Sequence, residues 1–292
     1  MWTYFTDTDC DINPKVAAEY GYRLISMPYS IDARTIYPYE DFTEFDDKSF
    51  YDMLRQGTIP TTSAVGVDKY LEYFEPEFEK GNDVFYVHFS EAMSGTFTNM
   101  RNAVEILREK YPERKFLELD TNGITIVSYL IVREAGDMLK AGKTPEEVKA
   151  AFEGKVNNYS QYFFADDLKF FKKSGRVSGI AATMGGLIGI RPVIYMDPEG
   201  KMINIGKEKG RANALKRLIS YAEEMGDDIK SHRIIIGHTG NLTLANAVAD
   251  MVRGKFGDDT LIEIVITNPT AGCHCGPDGV GIAFHSKERR ND

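Results

Sequence analysis

Val84-Phe85-Tyr86-Val87-His88-Phe89, followed by Ser90-Glu91-Ala92-Met93-Ser94-Gly95-Thr96, decides how this chain reads. The first six residues are apolar almost throughout, the pattern of a strand covered on both faces. The next seven interrupt it with hydroxyls and a glycine, and residues 97–111 then run at helical spacing until Pro112. Strand, polar loop and helix make the first half of a parallel βαβ unit. Working outward, residues 2–6 read as a strand, and Asn13-Pro14 gives a helix N-cap followed by Pro at the first helical position, with Gly21 as the stop. Residues 24–31 read as one strand, 46–56 and 68–78 as helices, 116–119 as a strand and 124–141 as a long helix. Thr144-Pro145-Glu146-Glu147 is a capping box.

Past residue 158 the rhythm changes. Residues 162–165 form a short strand, and 167–173 a short helix closed by Ser174-Gly175. Residues 191–196 and 201–205 flank the turn sequence Asp197-Pro198-Glu199-Gly200, as in an antiparallel hairpin. A helix at 212–225, strands at 233–237 and 261–267 about a helix at 242–256, and a strand at 280–284 complete the series. The expected fold is two-domain α/β. Residues 1–158 would carry a mostly parallel sheet with helices on both faces, and 159–292 a mixed sheet.

Composition narrows the function. The chain has 292 residues, 42% hydrophobic and 27% charged, with 35 Lys and Arg against 44 Asp and Glu for a net charge of −9. Such a balance disfavours a nucleic-acid footprint. Three Cys build no disulfide scaffold, and no apolar run approaches the roughly 18 residues that span a bilayer. A cytoplasmic protein without stable membrane insertion is the expectation.

Nucleotide and metalloprotease motifs are missing: the sequence has no G-x-x-x-x-G-K-[ST], no strand-linked G-x-G-x-x-G and no H-E-x-x-H. Gly185-Gly186-Leu187-Ile188-Gly189 has the wrong spacing for a dinucleotide and reads as a close-packed turn. Two hydroxyl-rich loops, Pro60-Thr61-Thr62-Ser63 and 90–96, remain. At the second, helix N-terminal N–H groups with the hydroxyls of Ser94 and Thr96 could converge on an anion. Ser and Thr are also ordinary N-caps, the commoner role for such residues. Cys273-His274-Cys275, taken as extended, points its thiols one way and its imidazole the other, a poor metal set. Ser94 with His274 lacks the glycines of a nucleophile elbow. His238, at the end of a strand, is a weaker candidate. Lys169, Lys172, Lys173 and Arg176 cluster around Ser174-Gly175, where Gly175 would end a helix and aim the Arg176 guanidinium.

In chain order these segments resemble the DegV family of bacterial fatty-acid-binding proteins. Thr6-Asp7-Thr8-Asp9-Cys10-Asp11-Ile12 is similar to its opening T-D-S-x-x-D-L, Thr62-Ser63 to its Thr-Ser element, and Ser90 with Ser94-Gly95-Thr96-Phe97 to S-x-x-x-S-G-T-[YF]. Asp120-Thr121, Gly175-Arg176-Val177-Ser178 and Ile190-Arg191-Pro192-Val193-Ile194 follow. His274-Cys275-Gly276-Pro277 with Gly281-Ile282-Ala283-Phe284 closes the series. Departures are Asp278 in place of the family's Gly, Val127 in place of Gly, and Ala64-Val65 in place of Gln-Pro, changes expected to reshape the tunnel walls.

The resemblance implies a carrier rather than a catalyst, with no catalytic residue, no metal and no cofactor beyond a bound long-chain fatty acid. Thr62 and Ser94 would hydrogen-bond the carboxylate, with Ser63, Gly95, Arg176 and His274 at or near the head group and the acyl chain in an apolar tunnel between the domains. A separate fatty acid kinase is the implied partner. The alternative is an enzyme acting on an acyl or phosphoryl substrate through Ser94 and His274, or through a metal at Cys273 and Cys275.

Overall fold

In the first half of the chain, β1 (Trp2–Asp7), α1 (Pro14–Tyr20) and β2 (Tyr22–Ile25) lead into a hairpin of β3 (Tyr29–Ile31) and β4 (Arg34–Ile36). Then come α2 (Asp47–Arg55), β5 (Thr61–Thr62), α3 (Val67–Glu79), β6 (Asp83–His88), α4 (Thr96–Lys110), β7 (Phe116–Asp120), α5 (Ile126–Lys140) and α6 (Pro145–Phe152). The second half holds β8 (Tyr159–Phe164), α7 (Lys169–Ser174), β9 (Val177–Ser178), β10 (Ile190–Met196), β11 (Met202–Lys209) and α8 (Arg211–Met225). It ends with β12 (Ile234–His238), α9 (Leu242–Phe256), β13 (Ile262–Ile266), α10 (Pro269–Cys275) and β14 (Val280–His285). The structure, a computed structural model, describes residues 1–179 and 189–291, so Gly185-Gly186-Leu187-Ile188 lies outside the described residues.

Two sheets organise the chain. The first, ordered β2-β1-β6-β7, is parallel throughout. Its order reverses between β1 and β6, so the loops leaving those strands flank a crevice where ligands of open α/β sheets bind. The second, ordered β13-β12-β14-β8-β10-β11-β9, is mixed, with antiparallel pairing through its centre. Helix α5 lies between the sheets. Its residues Ile126, Val127, Tyr129, Leu130, Ile131 and Val132 are all buried, as expected of a helical stretch apolar on every side, while Asp137 and Lys140 in its last turns reach solvent. Gly237 and Gly281 face each other across β12 and β14. A Cβ on Gly237 would stand 2.4 Å from Ile126 Cγ2, so these glycines let the helix press onto the sheet.

The local signals translate directly in places. Asn13 caps α1 by accepting from the Val16 N–H, and both arms of the Thr144/Glu147 capping box are formed. The single strand expected over residues 24–31 is instead β2 and β3. The Ser26 N–H donates to Tyr73 Oη and the Met27 N–H to Thr8 Oγ1, while Pro28 has no N–H. Three successive residues therefore leave the ladder, and the chain turns into a third small sheet, β4-β3-β5, that carries Thr62. The segment around Cys273-His274-Cys275 is likewise not extended: Asn268 caps a short helix with Pro269 at its first position.

Arg289 closes the fold. It is 3% exposed, and burial lowers its pKa to about 10, which leaves it charged at neutral pH. Its guanidinium donates to the carbonyls of Thr121 and Asn122 beyond β7, of Val156 and Tyr159 at the start of the second sheet, and of Asp197 in the β10–β11 turn. Arg289→Ala should cost about 3 kcal/mol, since buried carbonyls left unpaired cost about 1–3 kcal/mol each. Urea unfolding at pH 7 measures the loss.

Candidate functional site

One cavity with about 1090 Å³ of empty space, its mouth included, opens in front of the N-terminus of α5. Its apolar wall includes Met27, Phe89, Met93, Ile124, Ile126 and Phe163. All six residues singled out in the sequence, Thr62, Ser63, Ser94, Gly95, Arg176 and His274, line it, although they come from four separate stretches of chain.

Each is set by a local cause. Thr62 sits on β5, paired with Tyr29, and its Oγ1 lies 3.0 Å from His274 Nε2. His274 is carried on α10; its Nδ1 has no hydrogen-bond partner among the described residues. Burial first, and then the Arg176 charge, pushes its pKa down to about 4. The imidazole is therefore neutral at pH 7. With Nε2–H donating to Thr62, the Thr62 hydroxyl proton is free for a ligand. Ser94 Oγ accepts from the Thr96 N–H at 3.2 Å and can still donate its own proton. Gly95 heads that helix with no side-chain cap, and a Cβ on it would meet nothing within 4 Å, which leaves the positive end of a helix dipole open to the cavity. Gly175 ends α7 at φ 66, and Arg176 Nε then donates to the Met93 carbonyl at 3.2 Å, which seats the guanidinium beside Ser94.

Other expectations are corrected. The Thr96 hydroxyl does not converge with Ser94: it turns into the core, accepting from the Val65 N–H and bonding Tyr70 Oη. On α10, Cys273 Sγ donates to the Pro269 carbonyl. Among the described residues no group of three His, Cys, Asp or Glu is placed to hold a metal. No hydrogen bond joins Ser94 to His274. Ala64 lines the cavity, whereas Val127 does not and lies against Gly123 instead. Asp278 adopts φ 64, and its carboxylate accepts from Arg55 and Asn241, so the substituted turn is tied to α2 and to the N-cap of α9.

Composition and periodicity did not single out three further polar wall residues, Asp9, Gln161 and Thr125. His238, the weaker candidate, also faces the cavity and accepts the Asn241 N–H on Nδ1, which places its proton on Nε2. Asp7, Asp9 and Asp11 are all buried in the turn after β1. Burial is the main cause that raises Asp7 to about 6 and Asp11 to about 7. Asp9, also pressed by Asp7 and Asp11, is held well above the carboxylate range.

A parallel sheet and a mixed sheet closed over an apolar cavity, with donors gathered on the loops at one end, define a two-domain α/β protein built around an internal ligand space. The chain belongs to the DegV family: the model of that family, described as uncharacterised proteins, matches residues 2–287. A DegV domain-containing protein of Clostridium perfringens is 32% identical over 281 residues, covering 96% of each chain. Among solved structures, a stearic acid-binding protein from Eubacterium ventriosum superposes with a TM-score of 0.86 at 20% identity, covering 98% of this chain and 99% of that one. A DegV family protein from Ruminococcus gnavus with vaccenic acid gives 0.83 at 19% identity over 97% and 99%. One from Eubacterium eligens loaded with heptadecanoic acid gives 0.83 at 21% over 98% and 100%.

The buried acids predict a pH dependence. Below about pH 4 Asp11 is protonated in both states and costs nothing. As pH rises from 3.8 to about 7 the unfolded chain releases this proton first, so stability falls, and above about 7 the full penalty stays. Asp11→Asn keeps the Oδ1 acceptor that takes the Asn268 backbone and side-chain N–H groups, and Asn tolerates the φ of 55. Its stability relative to the parent should climb between pH 4 and 7 and then level off, measured by urea midpoints. A constant offset across that range would contradict the assignment.

Proposed function

We propose that this protein binds a long-chain fatty acid in the cavity and presents it to a separate fatty acid kinase. In this reading residues 1–158 and 159–292 are the two domains and the ligand lies between them. The observation that carries it is a cavity with an apolar wall and a cluster of neutral and cationic donors on its lining. The carboxylate would take hydrogen bonds from Thr62 and Ser94, with Ser63, Gly95 and His274 around it and Arg176 supplying positive charge. Related DegV structures holding vaccenic, heptadecanoic and stearic acid support the ligand class.

The energetics are compatible. Burying about 15 methylenes at about 0.8 kcal/mol each gives on the order of 12 kcal/mol gross, from which association costs are taken. Hydrogen bonds to the charged head add about 1.5–3 kcal/mol apiece. The tail would supply affinity and the hydroxyls orientation. Catalysis at Ser94 finds no support, since the base it needs is bonded to Thr62 instead. We read the protein as a carrier without cofactor or metal. No helix among the described residues is long and apolar enough to cross a membrane, and its three cysteines are free thiols, which agrees with a cytoplasmic site of action.

Organic extraction of the purified protein should release about one fatty acid per chain, read by mass spectrometry. After delipidation, Thr62→Ala with Ser94→Ala should weaken palmitate or oleate binding by tenfold or more. Unchanged affinity would remove these two residues from the head-group site. Kinase coupling is tested apart from binding. Lys172, Lys207 and Lys209 are exposed on α7 and β11. Charge reversal at all three should slow acyl phosphate formation by the kinase while fatty acid binding stays at the parent value; undiminished coupling would rule out these segments as the docking face.

A further inference from the structure

Two polar side chains on the cavity wall carry groups without a hydrogen-bond partner among the described residues. Asp9 is 7% exposed and lines the cavity, and neither of its carboxyl oxygens has a hydrogen-bond partner among the described residues. Gln161 is 3% exposed and lines it too. Its Oε1 accepts from the Val127 N–H at 3.0 Å, while its amide NH2 makes no hydrogen bond to a described residue. Thr125 links the pair: its N–H donates to the Asp9 carbonyl at 2.8 Å and its hydroxyl reaches Gln161 Oε1 at 3.5 Å. Its φ of 55 is a strained value for a β-branched residue. None of these groups bonds to Thr62, Ser94, Arg176 or His274, and Asp9 falls at a variable position of the opening motif.

Resting on the fatty-acid reading above, we propose that the cavity selects an acyl ligand with a hydroxyl on its chain, received by the Asp9 carboxyl and the Gln161 amide. An unsubstituted chain that displaced water here would leave both groups desolvated and unpaired, at a cost. A hydroxyl has one donor and two acceptor positions, so it accepts from the Gln161 N–H and exchanges a hydrogen bond with Asp9. Burial, with Asp7 and Asp11 beside it, shifts Asp9 toward its neutral form, in which the carboxyl can both donate and accept.

Calorimetric titration of the delipidated protein with stearic acid and with stearic acids hydroxylated at carbons 3, 9, 10 or 12 tests this. The best-placed hydroxy acid should bind roughly two- to tenfold more tightly than stearic acid, the gain of one added hydrogen bond. Asp9→Ala should bring the two affinities to parity, and Gln161→Leu gives the same readout if the first variant does not fold. Stearic acid binding as well as or better than every hydroxy acid overturns this proposal alone, as does a preference that survives in the folded variants. Binding of none of these acids overturns the fatty-acid reading, and this proposal with it.

Discussion

The first two turns of helix α5, residues 126–132, have no outward face, and the rest of the molecule is arranged around that constraint. The parallel sheet and the mixed sheet each lay an apolar surface on it, so a single core runs from Phe5 and Phe85 through Leu130 to Phe163 and Ala283. Close packing at this density tolerates little volume error, which explains the paired glycines of β12 and β14 beneath Ile126. The helix begins only at Ile126. In front of its first turn the two sheets have nothing to hold apart except short loops, and that gap is the cavity. The site is thus a consequence of where a helix starts.

A carboxylate entering such a space meets groups whose charge has been settled by burial. His274 is neutral, so it orients Thr62 rather than acting as a second cation. Burial beside Asp7 and Asp11 raises the Asp9 pKa well above the usual carboxylate range, which weakens its repulsion of an anion. Arg176 supplies the positive charge from the rim, fixed through the Met93 carbonyl. The cost of this arrangement falls on folding, because three acids in the turn after β1 must be taken out of water together. Tyr86 and the Phe89 N–H partly compensate Asp7, and Asn268 partly compensates Asp11; Asp9 is left uncompensated.

What could be read from the chain was what is local. The apolar run of β6, the caps of α1 and α6, and the β10–β11 turn depend on neighbours within a few residues, and they formed as read. Thr62, Ser63, Ser94, Gly95, Arg176 and His274 were legible only as short motifs in a fixed order, and the fold brings them to one cavity. The break at Ser26 and Met27 depends on Tyr73 and Thr8, which lie 47 and 19 positions away. Asp9 and Gln161 are 152 positions apart and meet only through Thr125. No spacing rule reaches that far. Likewise His232 and His285 stack at 3.8 Å only because antiparallel pairing sets the start of β12 beside the end of β14.

The loop that bears Ser94 is held by both sheets at once. Asp120, at the end of β7, accepts the Glu91 N–H. From the other side, the β10–β11 turn presses Gly200 so close to Ser90 that a Cβ there would lie 2.1 Å from its hydroxyl, and Gly200 takes φ 75 to do so. Asn122 and Asn157 both donate to the Pro198 carbonyl of the same turn, and Arg289 joins it to the end of β7. The position of the Ser94 loop therefore depends on how the second sheet docks. A ligand that fills the cavity touches residues from both sheets, so it must stabilise that docking by the free energy with which it prefers the docked form.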